Sequence, residues 1–195
     1  MMRDALEARS EMQDATFDQV FPSAHRYRSY LHWTPVAVAV RACAMLAPAA
    51  RVLDVGSGVG KVCLIGAATT TSAWVGVERD PEMVRVARRA AIKMRVEQRA
   101  SFTVGDITGV DWSAFDGFYL FNPFAEILFC DGGDAAARHQ SFARYIELVQ
   151  HQLGSVPPAT RVVTYHGFGG EMPPGFERVR RDADELSLWI RTRPR

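Results

Sequence analysis

The sequence predicts an α/β protein whose doubly wound, mostly parallel sheet has seven strands and ends in an antiparallel hairpin. Three observations carry that prediction. Short apolar runs alternate with helical patterns from Val36 to Tyr165, as parallel β-α-β units require. The stretch Asp54-Val55-Gly56-Ser57-Gly58-Val59-Gly60-Lys61 reads as a strand end, a tight turn and a helix start in succession, and glycine lets such a backbone approach a ligand closely. Asp54, Glu78, Asp106 and Asn122 stand at or just past the ends of successive apolar runs. Right-handed crossovers bring those ends to one edge of the sheet, where ligands of such folds bind.

Residues 1–20 carry Asp4, Glu7, Glu11, Asp14 and Asp18 with apolar residues loosely at helical spacing, which predicts a weakly amphipathic helix or a partly mobile arm. Phe21 to Trp33 is dense in aromatics and cations, including Arg28, Tyr30 and His32. It is expected either to pack against the core or to line the ligand site. Thr34-Pro35 reads as the N-cap and first residue of a helix from Val36 to about Leu46, which Pro48 ends. Arg51–Val55 is a strand apolar through its centre, as expected under helices on both faces, and Lys61–Ala68 is the helix after the glycines. Ala73–Glu78 is the second strand. Asp80-Pro81 caps the next helix, which gathers Met83, Val84, Ala87, Ala90, Ala91 and Met94 on one face and leaves its arginines to solvent.

Ser101–Val104 and Gly117–Phe121 are the third and fourth strands, running into Gly105-Asp106-Ile107 and Asn122-Pro123-Phe124. A glycine-rich bend at 131–134 precedes a long helix, Ala135–Leu153, and Arg161–Tyr165 is the fifth strand, with His166 at its end. The short stretch 166–175, rich in glycine and proline, leaves little room for another full helix. Phe176–Val179 and Leu186–Ile190 are therefore expected to close the sheet as a hairpin.

Composition bounds the function. A chain of 195 residues, 48% apolar and with net charge +1, is most simply one domain without a global pull towards nucleic acid or membrane. It has no bilayer-length apolar run, and its acidic, polar start is unlike a signal peptide, so a cytoplasmic location is expected. Cys43, Cys63 and Cys130 are far apart, with no C-x-x-C pair, and read as small buried hydrophobes. The histidines fit no metal-ligand spacing, so no metal is expected; His166 is singled out for its place at the sheet edge.

The spacing of the turn selects among ligands. A dinucleotide fingerprint G-x-G-x-x-G would need glycine where Lys61 stands, and a phosphate-cradling loop would need glycine at Val55 and a hydroxyl at Val62. The remaining pattern, D-x-G-x-G-x-G, resembles the first motif of the class I S-adenosylmethionine-dependent methyltransferases, which have a Rossmann-like fold. The resemblance spans about residues 34–192. Its motif is also similar to that of the histone-core lysine methyltransferases and of small bacterial methyltransferases of unassigned substrate, which share a Thr-Pro ahead of it, here Thr34-Pro35, and an Asn-Pro-Phe, here Asn122 to Phe124.

The resemblance implies S-adenosylmethionine as cofactor. Asp54 with Gly56, Ser57, Gly58 and Gly60 would hold its methionine end, Glu78 the ribose diol and Asp106 the adenine amine, with Ile107 and Val59 beside the base and further contacts from Thr34 and Asn122. Asn122 and Phe124 are the catalytic candidates, through an amide oxygen that orients the nucleophile and a ring that faces a cation. Residues 1–33 would form a helical, aromatic extension over the active site, and 34–195 the methyltransferase domain. A protein lysine or other amine, or a small metabolite, is the favoured acceptor. Alternatives are a nucleic-acid methyltransferase, disfavoured by the balanced charge, and a cofactor-binding or partner-binding module without turnover. Oligomeric state is left open.

Overall fold

The computed structural model describes residues 13–27, 33–129 and 134–192. Expectations for residues 1–12, for Arg28 to His32, for Cys130 and for the bend at 131–133 lie outside the described residues. The strands are β1 (Arg51–Val55), β2 (Ala73–Glu78), β3 (Ala100–Val104), β4 (Gly117–Phe121), β5 (Arg161–Tyr165), β6 (Phe176–Arg181) and β7 (Leu186–Arg191). They form one sheet in the order β3-β2-β1-β4-β5-β7-β6. Strands β1 to β5 are parallel, and β7 lies antiparallel between β5 and β6, because the hairpin turns its return strand inward onto β5. Strand order reverses between β1 and β4, which opens a crevice at their carboxyl ends.

Side chains alternate across the sheet and split the core in two. Val52 on β1 belongs to a cluster with Trp74, Leu46, Leu64 and Ala87, under the helices Val36–Leu46, Lys61–Thr69 and Pro81–Met94. Leu53 and Val55 belong to a second cluster with Trp112, Phe118, Leu120 and Val149, under the helix Ala135–Ser155. Each large side chain buried this way stabilises the fold by roughly 1.5–3 kcal/mol relative to exposure. Among the described residues, no helix is long and apolar enough to cross a membrane.

Three local features differ from the sequence reading. A short helix, Ala125–Phe129, follows the Asn122-Pro123 turn where none was expected. The described part of the N-terminal segment is packed: a helical turn at Asp14–Phe17 and a 3-10 turn at Asp18–Val20 bury Phe17, Val20 and Phe21 in the first cluster. Thr34 is not a cap. Pro35 takes the N-cap position of the Val36–Leu46 helix, and Asp14 Oδ1 accepts the Val36 N–H at 2.9 Å instead. Thr34 is buried with its Oγ1 2.7 Å from the Tyr119 hydroxyl, and the reason is on the Tyr119 side: a phenol buried in a central strand needs a polar partner.

Candidate functional site

The glycine turn is held by the end of β2. Gly56, Gly58 and Gly60 have φ of 70°, 53° and 80°, a region that side chains rarely occupy. The Gly56 and Ser57 N–H groups donate to the Val77 carbonyl at 3.0 and 3.1 Å, and the Gly58 N–H donates to Glu78 Oε2 at 3.0 Å. Space is as restrictive as torsion: a Cβ on Gly60 would lie 2.4 Å from Phe102 Cε1, whereas one on Gly58 would have Met83 Sδ as its nearest neighbour at 3.9 Å. Gly60→Ala is therefore expected to cost about 2–4 kcal/mol, combining backbone strain with overpacking, and Gly58→Ala only the strain. Urea denaturation of the two variants checks this; equal losses would mean that the Phe102 contact relaxes freely.

The turn closes one side of a cavity that is open to solvent. Its floor is Asp54 with Gly56 to Val59, and its walls carry Trp33, Thr34, Tyr119 and Phe121, with Lys61 and Val62 at the helix start. Asp54 is 4% exposed and accepts a hydrogen bond from the Cys63 thiol at 3.5 Å. Burial raises its pKa to about 7; the Cys63 contact opposes the rise and the Glu78 charge adds to it. Burial likewise pushes up the Cys63 thiol and the Tyr119 hydroxyl, so both are protonated at neutral pH.

Lys61 is 3% exposed, and its Nζ lies 2.5 Å from Asp14 Oδ1 and 2.8 Å from Asp18 Oδ1, and 5.8 Å from the ring centroids of both Phe17 and Trp33. The first helical residue after the glycines thus anchors the N-terminal segment beside the cavity.

The other candidate residues line the same sheet edge. Glu78 Oε1 accepts the Asp80 N–H at 2.9 Å, and with Oε2 on Gly58 each oxygen keeps a lone pair for a further donor. Asp106 accepts from the Thr108 N–H at 2.9 Å and from the Tyr145 hydroxyl at 2.5 Å, with Arg79 3.6 Å away. Burial alone would raise the Asp106 pKa, but the Tyr145 and Thr108 hydrogen bonds outweigh it and hold the carboxyl below its usual range. Ile107 and Phe124 sit in the second core cluster, and the Phe124 ring stacks on Tyr145 at 4.9 Å. Asn122 has φ 37° and donates its backbone N–H to the Gly167 carbonyl at 2.9 Å.

The cavity therefore brings together Thr34, Asp54, Gly56, Ser57 and Gly58, while Gly60 supports the turn from beneath. Glu78, Asp106, Ile107, Asn122 and Phe124 do not line the cavity. Four neighbours were not legible as site residues. Lys61 served only to exclude other motifs, Tyr119 read as core in preference to a ring that faces a cation, and Cys63 gave no sign of its contact with Asp54. Gly76 is the fourth: a Cβ there would lie 2.5 Å from Ser57 Oγ, so the glycine of β2 makes room for the turn. The lone hydroxyl inside the apolar strand Gly117–Phe121 was the available signal for Tyr119; the others depend on contacts between elements distant in the chain or across a turn.

A seven-stranded sheet with β7 antiparallel, a switch-point cavity and an acid–glycine turn at its floor defines the Rossmann-like fold of the class I methyltransferases. Residues 46–151, more than half of the chain, match the family described as methyltransferase domain, and the chain belongs to that family. An RNA methyltransferase from Salinibacter ruber, solved in complex with S-adenosyl-L-homocysteine, is similar at 23% identity and a TM-score of 0.60 over 83% of this chain and 95% of that one. A methyltransferase from Geobacter sulfurreducens is similar at 16% identity and a TM-score of 0.59, over 96% of this chain and 95% of that one. At these identities the likeness is one of fold. No curated protein matches the sequence.

Proposed function

We propose that this chain transfers a methyl group from S-adenosylmethionine to an amine of a protein or to a small metabolite. The observation that carries the reading is the buried carboxylate of Asp54 at the floor of the cavity, beside a turn whose three glycines hold the backbone open to a ligand. A ligand with an ammonium group fits that floor, a diol fits the remaining lone pairs of Glu78 and an exocyclic amine those of Asp106. When bound, S-adenosylmethionine supplies an electrophilic methyl carbon on a sulfonium. What the chain supplies is a fixed orientation, since an in-line displacement depends on holding the acceptor against the donor. In this reading Asn122 orients the acceptor, and Trp33, which lines the cavity, covers the methionine end.

Engaged cations favour this acceptor class over nucleic acid. Arg85 pairs with Glu82, Arg88 and Arg99 donate to the carbonyls of Phe102 and Ala67, and Lys93 donates to that of Gln19. Arg88 and Arg99 are thereby spent on main-chain carbonyls of the fold.

Titration calorimetry with S-adenosylmethionine, S-adenosylhomocysteine and NAD tests the reading, with heat expected from the two sulfur ligands alone. No heat from either would sink it. Glu78→Ala is expected to weaken binding by about 1–3 kcal/mol, through loss of a charged acceptor for the diol and of the Gly58 anchor. Labelled methyl incorporation into a size-fractionated lysate then separates protein from metabolite acceptors.

A further inference from the structure

We propose that His166 is the group that takes the proton from the methyl acceptor. The inference rests on the function proposed above and begins with the division of the sheet edge. Asp106, Glu78 and Asp54 lie at the ends of β3, β2 and β1, which assigns those three adjacent ends to the cofactor. The next ends in the sheet, those of β4 and β5, are left to the acceptor.

That corner is strained in an unusual way. Phe121 and Tyr165 are paired as the last residues of β4 and β5, and the residue after each, Asn122 and His166, has a left-handed backbone with φ of 37° and 52°. Glu185, in the turn before β7, joins them at φ 64°. Hydrogen bonds from the Asn122 N–H to the Gly167 carbonyl at 2.9 Å and from the His166 N–H to the Glu185 carbonyl at 3.3 Å tie the three together. Non-glycine residues held in this region cluster where a fold fixes a side chain for use.

The imidazole is the group at this corner suited to accept a proton. It is exposed, and its ring centroid lies 6.0 Å from that of Phe121, whose side chain lines the cavity. Among the described residues it has no hydrogen-bond or ion-pair partner for its ring. The other ionisable groups nearby are engaged. Asp182 and Asp184 hold Arg41, Glu185 holds Arg181, and burial keeps the Tyr165 phenol protonated.

The step balances without a further reactant. The lone pair of the acceptor's nitrogen or oxygen forms the bond to the methyl carbon while the carbon–sulfur bond breaks, and that electron pair stays on sulfur as a thioether. The acceptor's proton passes to an unprotonated imidazole nitrogen of His166, and the imidazolium returns it to water.

His166→Asn and His166→Gly remove the base but suit the left-handed backbone. Both variants are expected to bind S-adenosylhomocysteine in calorimetry within about twofold of the wild type and to melt at its temperature. Transfer of labelled methyl to the lysate acceptors should fall by about 10²–10⁴-fold. Added imidazole should restore part of the transfer in His166→Gly, where the ring's space is vacant, and none in His166→Asn. Undiminished transfer by either variant overturns the proposal, as does a loss in His166→Gly that imidazole does not relieve, which would make the role structural. Wild-type protein that binds both sulfur ligands but transfers nothing overturns the methyltransferase reading itself, and the role of His166 with it.

Discussion

At pH 8 and without ligand, Asp54→Asn is expected to melt several degrees above the wild type while binding S-adenosylmethionine about 10- to 100-fold more weakly. Both effects have one cause. The Asp54 carboxyl is 4% exposed, and its pKa rises from 3.8 to about 7 because burial disfavours the charge. The unfolded chain gives up this proton near its ordinary value, and the folded chain keeps it until about pH 7. Between those values the folded state binds more protons, so stability falls as pH rises, and above about pH 7 the full cost is present. At 1.36 kcal/mol per unit that cost is roughly 4 kcal/mol, an upper bound that structural relaxation lowers. Asparagine carries none of it and can still accept the Cys63 thiol. The gap between the two melting curves should open between pH 4 and 7; a variant no more stable than wild type at pH 8 would show that burial does not oppose ionisation here.

The ligand reverses the sign. A cation set against Asp54 favours the ionised form, so binding below about pH 7 must expel the proton. Affinity of the wild type should therefore climb with pH up to about 7, and its binding enthalpy should depend on the ionisation enthalpy of the buffer. Losing a hydrogen bond to a charged group costs about 1.5–3 kcal/mol, the basis of the expected drop in the variant. Unaltered affinity in Asp54→Asn would place the ligand's cation elsewhere. The apo protein thus carries a destabilising charge at the point where its ligand is expected to repair it.

How much of this was legible in the sequence depended on whether a signal was local. The strands were, because covered parallel strands are apolar runs, and the Asp80-Pro81 cap was, because Asp80 accepts the Glu82 N–H two residues on. Thr34 misled because its neighbour Pro35 looks like a helix start, whereas the bond that decides its place comes from Tyr119, 85 residues away. The cap that replaced it, Asp14, lies 22 residues from Val36 and belongs to a segment that read as a weakly amphipathic helix or a partly mobile arm. Phe124 read as a loop residue whose ring faces a cation; that the ring is buried and stacks on Tyr145 of a later helix gave no local sign. Each of these depended on tertiary pairing, to which local periodicity is blind.

Lys61→Met is expected to destabilise the protein by about 3–5 kcal/mol, the other large effect. The methyl-terminated chain keeps the apolar stem beside Phe17 and Trp33 but leaves Asp18, 4% exposed, without the ammonium 2.8 Å away. Asp14 is more forgiving, since its side chain is 46% exposed and it still accepts the Val36 N–H. A domain of this size loses about 2–4 °C of melting temperature per kcal/mol, so a drop of about 10 °C should be plain in calorimetry. The cost comes from a buried carboxylate parted from its ammonium. Removing that charge as well, in Lys61→Met with Asp18→Asn, should therefore recover much of the stability, making the two substitutions strongly non-additive. Hydrogen exchange should show the loss beginning at residues 14–20, which Lys61 ties to the start of the Lys61–Thr69 helix. Additive losses would mean that the Asp18 charge does not depend on the Lys61 ammonium. In that case the N-terminal segment would be held chiefly by Phe17, Val20 and Phe21 with the Asp14–Val36 contact, and Lys61 would be dispensable to the wall that Trp33 contributes to the cavity.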